Sequence, residues 1–191
     1  MNILVLDTET TGLTGKDEVI ELAYIVIDND LTTLTSFNAR YKPSIPINPH
    51  AQAVHGIEYK ELLSCFPSSK IALEPIDYMI GHNISFDKRL LIQSNPALTE
   101  MLEKVKYIDT KVLAKLIEKE NKDVKFLNHK LDVLIEHYFP ENPFTTNRFH
   151  DALTDCKKVL LLLDAVRKAF PALNTVEKLY DFQQLTSKAK K

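Results

Sequence analysis

The chain has 191 residues, 45% of them hydrophobic and 26% charged, a balance that fits one water-soluble globular domain and excludes wholesale disorder, a fibrous repeat or two independent catalytic domains. Its formal charge of −2 excludes a protein that coats duplex nucleic acid by charge alone, though not one with a local nucleic-acid site. Four glycines exclude the dinucleotide fingerprint and the Walker loop, and two cysteines, Cys65 and Cys156, exclude a disulfide framework or a thiolate zinc site.

In chain order, Asn2 to Leu6 is a short apolar run stopping at Asp7, which predicts a central strand buried on both faces. Val19 to Asp28 and Thr32 to Tyr41 are β-compatible runs around the Asp28-Asn29-Asp30 turn, completing an antiparallel meander of three strands. After Pro43, Pro46 and Pro49 the pattern turns to alternating β and α: a short helix from Pro49 to Val54, a helix over Lys70 to Tyr78, a strand at Tyr78 to Ile80 and a helix over Ser85 to Gln93. Then follow a strand at Val105 to Ile108, helices at Thr110 to Glu118 and Leu131 to Tyr138, and a long helix from about Asp151 to Ala169, ended by Pro171. From Asn174 onward the expectation is an amphipathic, loosely docked tail that could alternatively contact a partner. The N-terminus turns acidic before a signal core could form, and no apolar run reaches the roughly 18 residues of a membrane span, so a cytoplasmic, membrane-free setting is expected.

Chemistry is concentrated in a few acids. Asp7 and Glu9 lie two apart at the end of the first strand, so alternation points both to one face. At about 4 Å two such charges repel by roughly 1 kcal/mol in water and about 4 at an effective dielectric of about 20; a divalent cation would compensate, while two solvated strand-end acids remain the plainer alternative. Asp87 sits in a strand-to-helix turn after Tyr78-Met79-Ile80, where catalytic groups often gather in open α/β sheets. Asp155 shares a helical stripe with Val159, Leu162 and Val166 and so points to the core, which demands a metal or a buried partner such as Arg148. His150 precedes Asp155 by five residues, about 500° of helix, so it belongs just before the helix proper, where both can border one cleft. Hard oxygen ligands suit Mg²⁺ or Mn²⁺, a histidine titrating near neutrality can deprotonate water, and the reaction this implies is two-metal phosphodiester hydrolysis. His129 and His137 lack zinc-pair spacing and read as structural; Cys156 reads as a small core residue.

Three segments, Val5-Leu6-Asp7-Thr8-Glu9-Thr10-Thr11-Gly12-Leu13, Gly81-His82-Asn83-Ile84-Ser85-Phe86-Asp87 and His150-Asp151-Ala152-Leu153-Thr154-Asp155, resemble in that order the exonuclease motifs of the DnaQ-like family, the DEDDh 3′→5′ exonucleases. Val54-His55-Gly56-Ile57 and Tyr107-Ile108-Asp109-Thr110 are also similar to segments of this family. The resemblance, over about residues 2–168, implies an α/β fold of ribonuclease-H type: a mixed five-stranded sheet, three strands antiparallel and the rest parallel, flanked by helices. It divides the chain into an exonuclease domain, 1–172, and a tail, 173–191. It implies Asp7, Glu9 and Asp155 as ligands of one metal, Asp7 and Asp87 of a second, and His150 as general base. Thr8, Thr10, Leu13, Val54, His55 and Asn83 would receive the terminal nucleotide, Asn83 by ordering the Asp87 loop. The expected substrate is the 3′ end of single-stranded or frayed DNA, released as nucleoside 5′-monophosphates with two Mg²⁺ or Mn²⁺ ions. RNA or short oligonucleotides, and a non-catalytic nucleic-acid-binding module, are the alternatives. The chain is similar to stand-alone proofreading-type and exonuclease-X-like members; Gln183-Gln184-Leu185-Thr186-Ser187 is too degenerate for a clamp-binding motif, so no polymerase partner is indicated.

Overall fold

The computed structural model describes residues 1–141 and 150–188. Strands β1 (Ile3–Thr10), β2 (Val19–Ile27), β3 (Thr33–Arg40), β4 (Tyr78–Gly81) and β5 (Lys106–Asp109) form one sheet in the order β3-β2-β1-β4-β5. The first three are mutually antiparallel, whereas β4 runs parallel to β1 and β5 parallel to β4. This is the mixed α/β sheet the sequence predicts. β1 is central, and its Ile3 to Leu6 are buried, as a strand covered on both faces requires.

Helices α1 (Pro49–His55), α2 (Ser85–Ser94), α3 (Thr99–Lys104), α4 (Thr110–Glu120), α5 (Leu131–Tyr138), α6 (Ala152–Ala169) and α7 (Val176–Lys188) flank the sheet. Alternation along β1 splits the core in two. Ile3 and Val5 pack with residues of α4, α5, α6 and α7, including Ile117, Leu134, Val159 and Leu179, while Leu6 packs with Leu90, Leu91 and Leu102 from α2 and α3. Asp7 and Glu9 continue the Ile3–Val5 face, and α6 lies across it. Cys156 is part of that core, its thiol 3.5 Å from the Ala23 carbonyl.

Two segments depart from the sequence reading. The helix expected over Lys70 to Tyr78 does not form: after a short 3₁₀ turn at Ser68–Lys70 the chain runs without regular structure to β4. Pro75 has no N–H to give and disfavours a helical Glu74; the segment instead pairs with the N-terminus, Asp77 N donating to Asn2 O at 2.9 Å and Asn2 Nδ2 to Pro75 O at 2.9 Å. Beyond Asn174 the chain forms α7, with Val176 and Leu179 fully buried. The Gln183 amide spans the outer edge of β5, accepting from Asp109 N at 2.8 Å and donating to Tyr107 O at 3.0 Å, which satisfies groups an edge strand would otherwise leave open. Among the described residues no helix is long and apolar enough to cross a membrane.

Candidate active site

The site forms where β1 and β4, running parallel, both end. Glycine is required at Gly81: a Cβ there would lie 2.8 Å from the Leu6 carbonyl and 2.5 Å from Ile84 Cδ1, so only glycine lets β4 turn into α2 so close to β1. The turn passes through Asn83 at φ 66°, left-handed geometry that asparagine tolerates, while Asn83 N donates to Asp109 Oδ1 at 2.9 Å. Its result is Asp87, in the first turn of α2 and buried, its Oδ1 accepting the Thr8 hydroxyl at 2.7 Å. Asn83 is exposed and stands in the Asp87 turn.

Asp155 arrives from the other side, in the first turn of α6. Asp151 caps that helix, Oδ1 accepting from Thr154 N at 3.2 Å, and the buried Glu21 of β2 accepts from Ala152 N at 3.2 Å. His150 precedes the helix, its N–H bonded to Val54 O, and its Nδ1 lies 2.9 Å from Asp155 Oδ2. The predicted placement outside the helix is thus what lets the two meet. Arg148, the alternative partner for Asp155, and Phe149 fall outside the described residues. The buried partner found instead is Lys158, whose ammonium stands 2.8 Å from Asp155 Oδ1.

Crowding of acids dominates the electrostatics. Burial, then the neighbouring charges of Asp155 and others, push the Glu9 carboxyl up to about 8. Asp87 is pushed to about 7, first by burial and against the hydrogen bond from Thr8. Asp7 is raised by its poor solvation and then by Asp87, Asp155 and Glu9. Asp155 alone stays below the usual range: burial raises it, but the His150 and Lys158 contacts outweigh that. His150 is correspondingly raised, chiefly by its bond to Asp155. Asp155 Oδ1 is buried and makes no hydrogen bond of normal geometry. Four hard oxygen donors short of positive charge are what a divalent ion such as Mg²⁺ or Mn²⁺ requires, and Asp7, Glu9, Asp87 and Asp155 could hold one. As they stand, no three or more His, Cys, Asp or Glu side chains among the described residues form a ready-made cage; Thr8 engages Asp87, and His150 and Lys158 engage Asp155.

Two clefts border these acids, one at Glu9 and the other at Asp7 and Asp155. One, of about 470 Å³, is walled by Glu9, Thr10, Leu13, Val54, His55 and Phe86. Helix α1 delivers its floor: Asn48 Oδ1 caps His50 N at 2.8 Å, and Gly56, at φ 72°, ends the helix just after His55. His55 accepts from Ile57 N at Nδ1, and its buried Nε2 makes no hydrogen bond of normal geometry. Leu13 and Val54 are exposed there. Thr8 and Thr10 border the same cleft, but their hydroxyls are committed to Asp87 and to Gly12 O. The other cleft, of about 670 Å³, leads from Asp7, His150 and Asp155 past Lys111, Lys115 and Lys130.

Residues 4–163 match the Exonuclease family. The chain belongs to the DnaQ-like exonuclease family. It is 31% identical over 169 residues to the DNA polymerase III subunit epsilon of Buchnera aphidicola, covering 80% of this chain and 69% of that one, and 27% identical over 176 residues to an uncharacterized exonuclease of Escherichia phage 186, covering 85% and 87%. Among solved structures, exonuclease X in complex with 5′ overhanging duplex DNA superposes with a TM-score of 0.69 at 22% identity, covering 95% of this chain and 99% of that one.

Within this exonuclease domain several residues escaped the sequence reading. Lys158 lies three residues after Asp155, about 300° round the helix, so it shares the inward stripe; that spacing was the available signal. Asp132 of α5 completes the lysine's coordination at 2.6 Å. Glu21 stands directly across from Glu9 in the β1–β2 register and is compensated by Arg40 at 3.2 Å, a pairing that needs the register to be seen. The cations near the motifs in sequence serve elsewhere: Arg89 holds the Leu13 and Thr14 carbonyls at 3.0 and 2.9 Å, and Lys88 sits over the Tyr107 ring. His129 and His137 are structural, as expected, bonded to Glu118 and packed on Phe126.

Proposed function

We propose that this domain is a divalent-metal-dependent 3′→5′ exonuclease that removes nucleoside 5′-monophosphates from the 3′ end of single-stranded or frayed DNA. The observation that carries the reading is the convergence of Asp7, Glu9, Asp87, Asp155 and His150, with an apolar cleft beside Glu9 and a lysine-lined one beside Asp7, His150 and Asp155. Asp7, Glu9 and Asp155 would hold one ion, and Asp7 with Asp87 a second; bound there, they supply Lewis-acid stabilisation of the phosphodiester charge and ease deprotonation of water. With its Nδ1–H donating a hydrogen bond to the ionised Asp155, neutral His150 would present Nε2 to accept a proton from the attacking water. Leu13, Val54 and Phe86 offer an apolar seat for the terminal nucleoside, with His55 buried in the wall behind it. Lys111, Lys115 and Lys130 offer charge to the phosphates 5′ of the cut. The direction of degradation rests on the three motifs in order.

Incubation of 5′-labelled single-stranded DNA with Mg²⁺ tests this. The expected product is a ladder shortened from the 3′ end together with nucleoside 5′-monophosphates, lost on chelation. An intact strand, or mononucleotides released from the 5′ end, would reject it, and a matched RNA strand reports which sugar the site prefers.

A further inference from the structure

Lys158 is a cation almost wholly enclosed among acids, its side chain 5% exposed. Its ammonium lies 2.6 Å from Asp132 Oδ1 and 2.8 Å from Asp155 Oδ1. Asp155 turns its other oxygen to His150 Nδ1, and His150 Nε2 lies 3.8 Å from Asp132 Oδ2. The four groups close a ring joining α5, α6 and the residue ahead of α6. An apolar side chain at this position would extend the Val159–Leu162 core without the desolvation that a buried ammonium incurs, so a packing role alone does not account for a lysine. Its two partners differ in kind. Asp155 is one of the four carboxylates assigned above to the ions, whereas Asp132 is half-exposed and outside that set.

We propose that Lys158 is the built-in counter-cation of the acid cluster: it neutralises Asp155 while the site lacks a divalent ion, and gives that carboxylate up, keeping Asp132 alone, when an ion binds. The inference rests on the metal-dependent reading. Lys158 is thereby a positioning residue acting through Asp155, and through Asp132 it borders the His150 imidazole. A fixed positive charge here supports the metal-free fold and opposes the ion. Removing it must therefore move two quantities in opposite directions, whereas a merely structural lysine would lower both or leave ion affinity unchanged.

The test uses the full chain at pH 8, stripped with chelator, titrated with Mn²⁺ alone by calorimetry and melted in parallel. Lys158→Met is expected to lower the metal-free Tm by roughly 5 °C or more and to tighten Mn²⁺ binding about tenfold. Asp132→Asn, which removes the lysine's second resting place, is expected to weaken Mn²⁺ binding in the wild-type background and to change it by less than about twofold in the Lys158→Met background. Mn²⁺ affinity that is unchanged or weaker in folded Lys158→Met overturns the proposal, as does an Asp132→Asn effect equal in both backgrounds. If Lys158→Met is unfolded when metal-free, millimolar Mn²⁺ is expected to fold it, and failure to do so counts equally against it. Wild-type protein that binds no Mn²⁺ defeats the metal-dependent reading and this one together; wild-type binding with an unaltered Lys158→Met defeats only the role of Lys158.

Discussion

The His150 imidazole is held by one hydrogen bond, to Asp155, and a longer approach to Asp132, and 43% of the side chain is exposed. Its removal leaves no core cavity, so a loss of turnover in its absence reports chemistry and not folding. His150→Ala is expected to lower kcat by roughly 10²–10⁴-fold, the span typical of a general base, with Tm within about 2 °C of wild type; near-wild-type turnover would remove it from the base role. Thr8 makes a subtler case. Its hydroxyl donates to Asp87 from a buried position, and a hydrogen bond to a charged group contributes about 1.5–3 kcal/mol. The near-isosteric Thr8→Val should release Asp87 without disturbing β1, raising the Mg²⁺ concentration for half-maximal rate by roughly tenfold or more. A changed KM for the strand with unchanged Mg²⁺ dependence would place Thr8 on the nucleotide instead. At this scale the sequence discloses acids that stand out by position, such as Asp7 at a strand end and Asp155 on an apolar stripe. It hides Lys158 and Glu21, whose meaning depends on what faces them across a helix or a strand pair.

At the scale of elements, strands were legible to within a few residues because apolar β-branched runs bounded by turns leave few alternatives: Val19 to Asp28 became Val19–Ile27 and Thr32 to Tyr41 became Thr33–Arg40. β1 ran on to Thr10, four residues past its apolar run, because Thr8 to Thr10 pair with β2 despite being polar. Lys70 to Tyr78 misled because helical spacing of apolar residues says nothing of Pro75. The C-terminal segment carries the next test. Leu179 is fully buried in α7 against the core that also holds Val159 and Ile117, so Leu179→Ala should create a cavity costing about 2–5 kcal/mol, seen as a Tm lower by roughly 5–15 °C. A Tm within about 1 °C of wild type would show that residues 174–188 are dispensable to the domain and would favour the boundary at 172.

For the molecule as a whole, the governing quantity is the charge gathered at one point. Two divalent ions would take the formal charge from −2 to +2, so a strand end can be gripped without a broad basic groove. Without ions, the cluster makes stability depend on pH. The carboxyls of Glu9 and Asp87 titrate at about 8 and about 7 in the fold but near their ordinary values, roughly 4, in the unfolded chain. Between those limits the native state binds more protons than the unfolded state, so stability is fullest on the acid side and declines as pH rises through the folded values. The raised His150 acts in the same direction: its contribution is complete below the ordinary histidine value and is lost as pH climbs past the folded one. Asp155, held low, acts oppositely, stabilising above its unfolded value and failing only as pH falls through its folded value, well below the neutral range. The metal-free protein should therefore lose Tm steadily from about pH 6 to 8.5, and saturating Mg²⁺, by neutralising the ionised carboxylates, should flatten that slope so that the metal-induced rise in Tm grows with pH. Melting curves at several pH values with chelator or with Mg²⁺ measure this directly. Two parallel lines would mean that the ions do not bind where Glu9 and Asp87 titrate, and Asp87→Asn, which removes one of those protons, should reduce the metal-free slope while leaving the acid limb in place.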